Sequence, residues 1–155
     1  YQALTTTSSF KVGEIKKIAD ETGNHWRKIF NVYAKLYFEY APQQFQNWQA
    51  LRDQHLLQRE SNTALFFSPP MLHDLVADKD VSYIDTNSDK KINIIMGRTY
   101  AKKLDLSEHF YWLSNDFAIN QQASLIICPY FDYRQLSNIK ITQLIGLIRS
   151  LDSQK

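Results

Sequence analysis

Cysteine is almost absent from this sequence. Cys128 is the single one among 155 residues. One thiol excludes an internal disulfide and any zinc site built from several cysteines. It fits a reducing compartment, so a cytoplasmic location is expected. No stretch approaches the roughly eighteen apolar residues that a membrane span needs, and no secretory signal pattern is visible; no membrane partner is expected. Strong charge of one sign is missing too. The formal net charge is +2, short of the basic excess with which sequence-independent DNA binders hold phosphates. That charge permits nucleic acid without arguing for it. His25, His55, His73 and His109 never fall at a short metal-ligand spacing, so neither a metal nor a cofactor is expected. Asp85-Thr86-Asn87-Ser88-Asp89 begins like a calcium loop, which needs Gly at its sixth position and Glu at its twelfth. Lys90 and Met96 stand there, so a hairpin turn is expected instead. Internal repeats and low-complexity tracts are also absent.

What the chain has is aromatic surface: nine Tyr, nine Phe and three Trp. Such an excess furnishes a core or a stacking surface for bases. The length suits one domain over residues 1–155. A chain of this size buries roughly 68–70% of its unfolded surface and needs no staples.

Residues 1–9, with their threonine and serine run, read as a lead-in loop. Residues 12–20 form a helix candidate with Ile15, Ile18 and Ala19 on one face, interrupted at Thr22-Gly23-Asn24. Asn24 is then expected to cap a second helix, whose Trp26, Ile29, Phe30, Tyr33, Leu36 and Tyr37 recur at helical spacing. A third helix is expected over about 42–60, striped by Phe45, Trp48, Leu51, His55 and Leu56. Beyond Ser61 the texture turns to strands, at 63–67, 81–85, 91–96, 110–113 and 125–128. Short helical turns at 71–76 and 98–104 lie between them. The run at 125–128 is wholly apolar, as in a strand covered on both faces. A closing helix stripes Ile141, Leu144, Ile145, Ile148 and Leu151. Covered strands with amphipathic helices predict an α/β fold: a three-layer α/β/α sandwich with a small, mostly parallel sheet and a helix-rich N-terminal half, with a helical lid domain fused to a small α/β unit as the alternative.

Three stretches carry candidate chemistry. At the start of the second helix, free backbone N–H groups and a positive dipole end can combine with Asn24, His25, Arg27 and Lys28 as an anion seat. The bland alternative is a capped helix with a solvated basic first turn, at a small electrostatic cost. Gly97 and Arg98 stand between a strand and a helix, where glycine lets a backbone or ligand approach closely. The third stretch leaves the last strand through Pro129 and runs to Asn138. In α/β domains, ligand chemistry sits at the carboxyl ends of strands. Tyr130, Phe131 and Tyr133 offer rings, Arg134 an anion fork, and Asp132 and Asn138 polar contacts. Asp132 with Gln135 also matches a capping arrangement, which would make this turn scaffold rather than site. Cys128 has no base beside it and reads as a buried, inert thiol. No conventional general base is visible, so no catalytic residue is assigned.

Ile92-Asn93-Ile94-Ile95-Met96-Gly97-Arg98-Thr99-Tyr100-Ala101, the later Leu125-Ile126-Ile127-Cys128-Pro129, and the polar loop through Arg134 to Asn138 resemble the uracil-DNA glycosylase superfamily in their order. In that family a strand ending in glycine precedes a short helix, and a later strand ends in a His-Pro-Ser loop that wedges into DNA. Tyr130-Phe131-Asp132 stands where that loop would be. The family's water-activating Asp or Asn motif has no counterpart in these residues, and could lie upstream of Tyr1. The resemblance therefore implies a divergent, non-catalytic relative that binds a nucleobase, nucleotide or nucleic acid. The chain also looks like a small uncharacterised bacterial protein. A second expectation, of another class, is a protein–protein module whose aromatic N-terminal helices dock a partner or a second copy. A third is a small-nucleotide hydrolase with Asp132 as base.

Overall fold

The fold is known from a computed structural model, which describes residues 10–41, 45–58, 61, 63, 65, 84–85, 91–103 and 110–153. The lead-in at 1–9, the helical turn at 71–76, the turn at 86–90, His73 and His109 lie outside the described residues, as does most of the strand expected at 63–67.

Helical periodicity near the N-terminus becomes α1 (Glu14–Thr22), α2 (Asn24–Tyr40) and α3 (Trp48–Gln54). The break between the first two is made by Gly23. Its φ of +87° is one that side-chain-bearing residues rarely adopt, and its N–H closes α1 on the Ala19 carbonyl at 3.2 Å. This corrects the expected cap. Because Gly23 takes the non-helical position, Asn24 is already the first helical residue, and no side chain caps α2. The third helix is shorter than its apolar stripe. Asn47 starts it, with Oδ1 accepting the Ala50 N–H at 2.8 Å. The buried faces are those the spacing gave: Ile15 and Ile18 of α1, Ile29, Phe30, Tyr33 and Leu36 of α2, and Leu51 of α3.

The strands are β1 (Ile84–Asp85), β2 (Lys91–Met96), β3 (Tyr111–Trp112), β4 (Ala118–Asn120) and β5 (Leu125–Cys128). They form one sheet in the order β1-β2-β5-β4-β3. α4 (Arg98–Lys103) follows β2, and α5 (Asn138–Ser153) follows β5. The architecture is α/β with a helix-rich N-terminal half, as expected. The sheet, however, is mixed instead of mostly parallel. Only β2 and β5 run parallel, from Asn93 beside Leu125 to Met96 beside Cys128. The other pairings are antiparallel. Connection length explains this: the links from β3 to β4 and from β4 to β5 are tight turns, which can only reverse the chain. In the first, Ser114 Oγ accepts the N–H groups of Asp116 and Phe117 at 3.1 and 3.3 Å. In the second, Asn120 Oδ1 accepts the Ala123 N–H at 3.0 Å. Strand β4 was not expected, because three residues are too few for an alternation to be read.

Packing groups the chain into two units: Tyr1–Ser61 with Phe131–Ile145, and Asn62–Tyr130 with Gly146–Lys155. In the first, α1, α2 and α3 pack together. In the second, Ile95, Ala101, Phe110, Ala118, Leu125 and Ile127 form a core against which Trp112 rests. β5 is buried along its whole length, as its unbroken apolar run predicts.

Candidate functional site

The turn after β5 is built by Asp132. Its Oδ1 accepts the Arg134 N–H at 2.8 Å. Its backbone carbonyl accepts the N–H groups of Gln135 and Leu136 at 2.9 and 2.8 Å. Such side-chain-to-backbone closure is what aspartate supplies in turns. The turn is anchored by two apolar side chains, Phe131 and Leu136, both buried. Phe131 meets the Tyr33 ring of α2 edge-on, with centroids 5.5 Å apart. Asp132 Oδ2 also faces α2, 3.7 Å from Lys28 Nζ.

Anchoring Phe131 inward leaves Tyr133 outward, 51% exposed. Two cations attend its ring. Lys28 Nζ lies 5.7 Å from the centroid and the Arg134 guanidinium 5.5 Å. Arg134 Nε also donates to the Tyr133 hydroxyl at 3.2 Å. That hydrogen bond first, then the charges of Tyr133 and Asp132, push the Arg134 pKa further up. The result is a solvent-facing aromatic ring framed by two permanent donors, joined through α2 and the post-β5 turn. Side chains of this kind hold bases by stacking and phosphates by charge.

The other candidates are distributed differently. Asn24, His25 and Arg27 are exposed on the first turn of α2. Arg27 leans back to α1, 3.5 Å from Asp20 Oδ1 and 3.5 Å from Asn24 Oδ1. His25 sets its ring edge against Trp26 at 5.9 Å. The basic residue that reaches the turn is Lys28, one helical turn beyond Asn24. Asn138 opens α5, and its carbonyl accepts from Thr142 Oγ1 at 3.2 Å. Gly97, Arg98 and Tyr130 belong to the second unit. Gly97 has φ +102°, and a Cβ there would stand 3.6 Å from Tyr130 Cδ2. The Tyr130 ring thus covers the glycine corner. Arg98 spends its guanidinium on the Asn115 carbonyl at 2.8 Å, tying α4 to the turn between β3 and β4. Phe131 is corrected from stacking surface to core, since its side chain is 2% exposed.

A family model matches residues 1–149. The chain belongs to the Family of unknown function (DUF6942). No curated protein and no solved structure matches it.

In this DUF6942 chain, Tyr133 and Lys28 meet at one turn, although the sequence places them in two separate candidate stretches. Turns have no periodicity, so which ring of Tyr-Phe-Asp-Tyr faces water is not legible from order alone. Lys28 was within the basic first turn but gains its meaning only from packing against residue 132. Cys128 is fully buried, its Sγ 3.3 Å from the Pro129 carbonyl, and burial pushes the thiol pKa up. It is buried, as the apolar run it ends led one to expect. Among the described residues no three His, Cys, Asp or Glu gather to hold a metal ion, and no helix is long and apolar enough to cross a membrane. On α2 and α3, Phe30 and Tyr33 are buried, while Trp26, Tyr37, Phe38, Tyr40 and Trp48 are half-buried.

Proposed function

We propose that this DUF6942 chain is a non-catalytic binder of single-stranded nucleic acid or nucleotides, with Tyr133 stacking on a base and Lys28 and Arg134 meeting phosphate. The observation that carries the reading is the exposed Tyr133 ring between two cations. Base–aromatic stacking contributes about 1–3 kcal/mol per base and tolerates any sequence. The order of the sequence stretches around Gly97 and after Cys128, which resembles that of the uracil-DNA glycosylase superfamily, favours a nucleobase over other rings in this proposal. A divergent, single-domain bacterial relative working in the cytoplasm is part of the same proposal, and its lone thiol fits a reducing setting. Asp132 argues against hydrolysis, because its carboxylate is occupied by the Arg134 N–H and Lys28.

The test is fluorescence anisotropy with labelled single-stranded, uracil-containing and duplex DNA at 50 and 200 mM salt. Two phosphate-neutralising cations give a log–log salt slope of about −1.4, or about a sevenfold loss of affinity over that range. Tyr133→Ala weakens binding about 5- to 150-fold without changing the slope. Arg134→Ala makes the slope shallower by about 0.7. The proposal fails if micromolar protein shows no salt-dependent binding, or if Tyr133→Ala binds like the parent.

A further inference from the structure

Strand β2 carries one buried amide among isoleucines. Asn93 is 4% exposed. Its backbone N–H donates to the Ser124 carbonyl at 2.9 Å, but its side-chain Oδ1 has no hydrogen-bond partner among the described residues. Register sets Asn93 beside Leu125 of β5, and Leu125 opposite Asn120 of β4. Side chains in register share a face. The next row on that face is Ile95, Ile127 and Ala118, all in the apolar core. Asn120 is the nearest amide along the row, yet it lies two strand spacings away, about 9.5 Å. Its Oδ1 is committed to the Ala123 N–H.

A buried acceptor that gives up its water bonds for nothing weakens the fold, and an isoleucine or leucine would pack such a strand better. We infer that the Asn93 carboxamide is the acceptor of a small buried site that takes one neutral N–H or O–H donor from outside the chain. The apolar row around it disfavours a charged occupant, because a charge there is desolvated without a counter-ion. Asn93 sits where the parallel pair of β2 and β5 begins, whereas Gly97 follows where it ends. The site is therefore distinct from the glycine corner and from the Tyr133 turn. The donor belongs either to an internal water or to a small ligand; both offer the same hydrogen bond.

Urea denaturation of Asn93→Leu reads the sign. A filled site makes the variant less stable, with its unfolding constant about 2- to 10-fold larger and the denaturant slope unchanged. A midpoint equal to or above the parent's overturns the inference. Should the variant not fold, the parent itself decides. A long-lived water cross-relaxing with the Asn93 side-chain amide in NMR, at bare chain mass in native mass spectrometry, identifies water. Added mass that disappears after unfolding and refolding identifies a ligand. Neither signal in the folded parent overturns the site.

Discussion

Replacing Phe131 with alanine separates anchoring from binding at the turn after β5. The ring is 2% exposed and packs edge-on against Tyr33 at an interplanar angle of 82°. Truncating a buried phenylalanine costs about 3–5 kcal/mol through lost transfer energy and the cavity left behind. Of that, about 0.5–1.5 kcal/mol belongs to the ring pair itself. Domains of this kind have about 5–15 kcal/mol in hand, so Phe131→Ala still folds in most of that range, with much reduced reserve. With a urea slope of about 2 kcal/mol/M, the midpoint falls by about 1.5–2.5 M. Phe131→Leu keeps most of the volume and costs about 1.5 kcal/mol or less. A double-mutant cycle with Tyr33→Leu isolates the ring–ring coupling. Phe131→Leu, folded at 25 °C, binds single-stranded DNA like the parent, because the ring never reaches solvent. A Phe131→Ala protein with the parental midpoint but weakened DNA binding would refute this assignment and restore Phe131 as a ligand contact.

Three further outcomes are expected. Cys128 stays unreactive toward an aromatic disulfide reagent at pH 8 in the folded protein and reacts fully in urea, because its thiol is buried and its pKa raised; stoichiometric labelling within seconds under native conditions contradicts this. Gly97→Ala destabilises by about 1–3 kcal/mol through backbone strain alone, since φ is +102° while the added methyl meets Tyr130 at an ordinary 3.6 Å; thermal unfolding that is unchanged contradicts it. Asp20, whose pKa is lowered first by its hydrogen bond to Lys16 and also by the charges of Lys16 and Arg27, binds its proton more readily in the unfolded chain. Its small contribution is present above the ordinary carboxylate pKa and is lost as pH falls through the depressed one. Asp20→Asn flattens the Tm-against-pH curve in that acid window, and a curve identical to the parent's speaks against the pairing.

The helices were legible because their apolar positions recur every three or four residues, and Ile15, Phe30, Leu36, Leu144 and Ile148 are all buried as that spacing requires. Strand β5 was legible from four consecutive apolar residues. The antiparallel half of the sheet was not, since its direction depends on two tight turns whose serine and asparagine side chains close on nearby backbone N–H groups. The turn after β5 was found, but its ring assignment was not. Phe131 and Tyr133 are two residues apart and chemically similar, and only the Tyr33 edge contact decides which one faces inward. Asp132 closes the turn with its carboxylate and carbonyl, a role the capping arrangement with Gln135 makes legible.

The helical unit at the N-terminus is completed by a segment far along the chain, Phe131–Ile145. During synthesis, α1, α2 and α3 emerge long before the residue that will sit against Tyr33. A protein cut after Ser61 would therefore lose the stretch that completes its own helical unit.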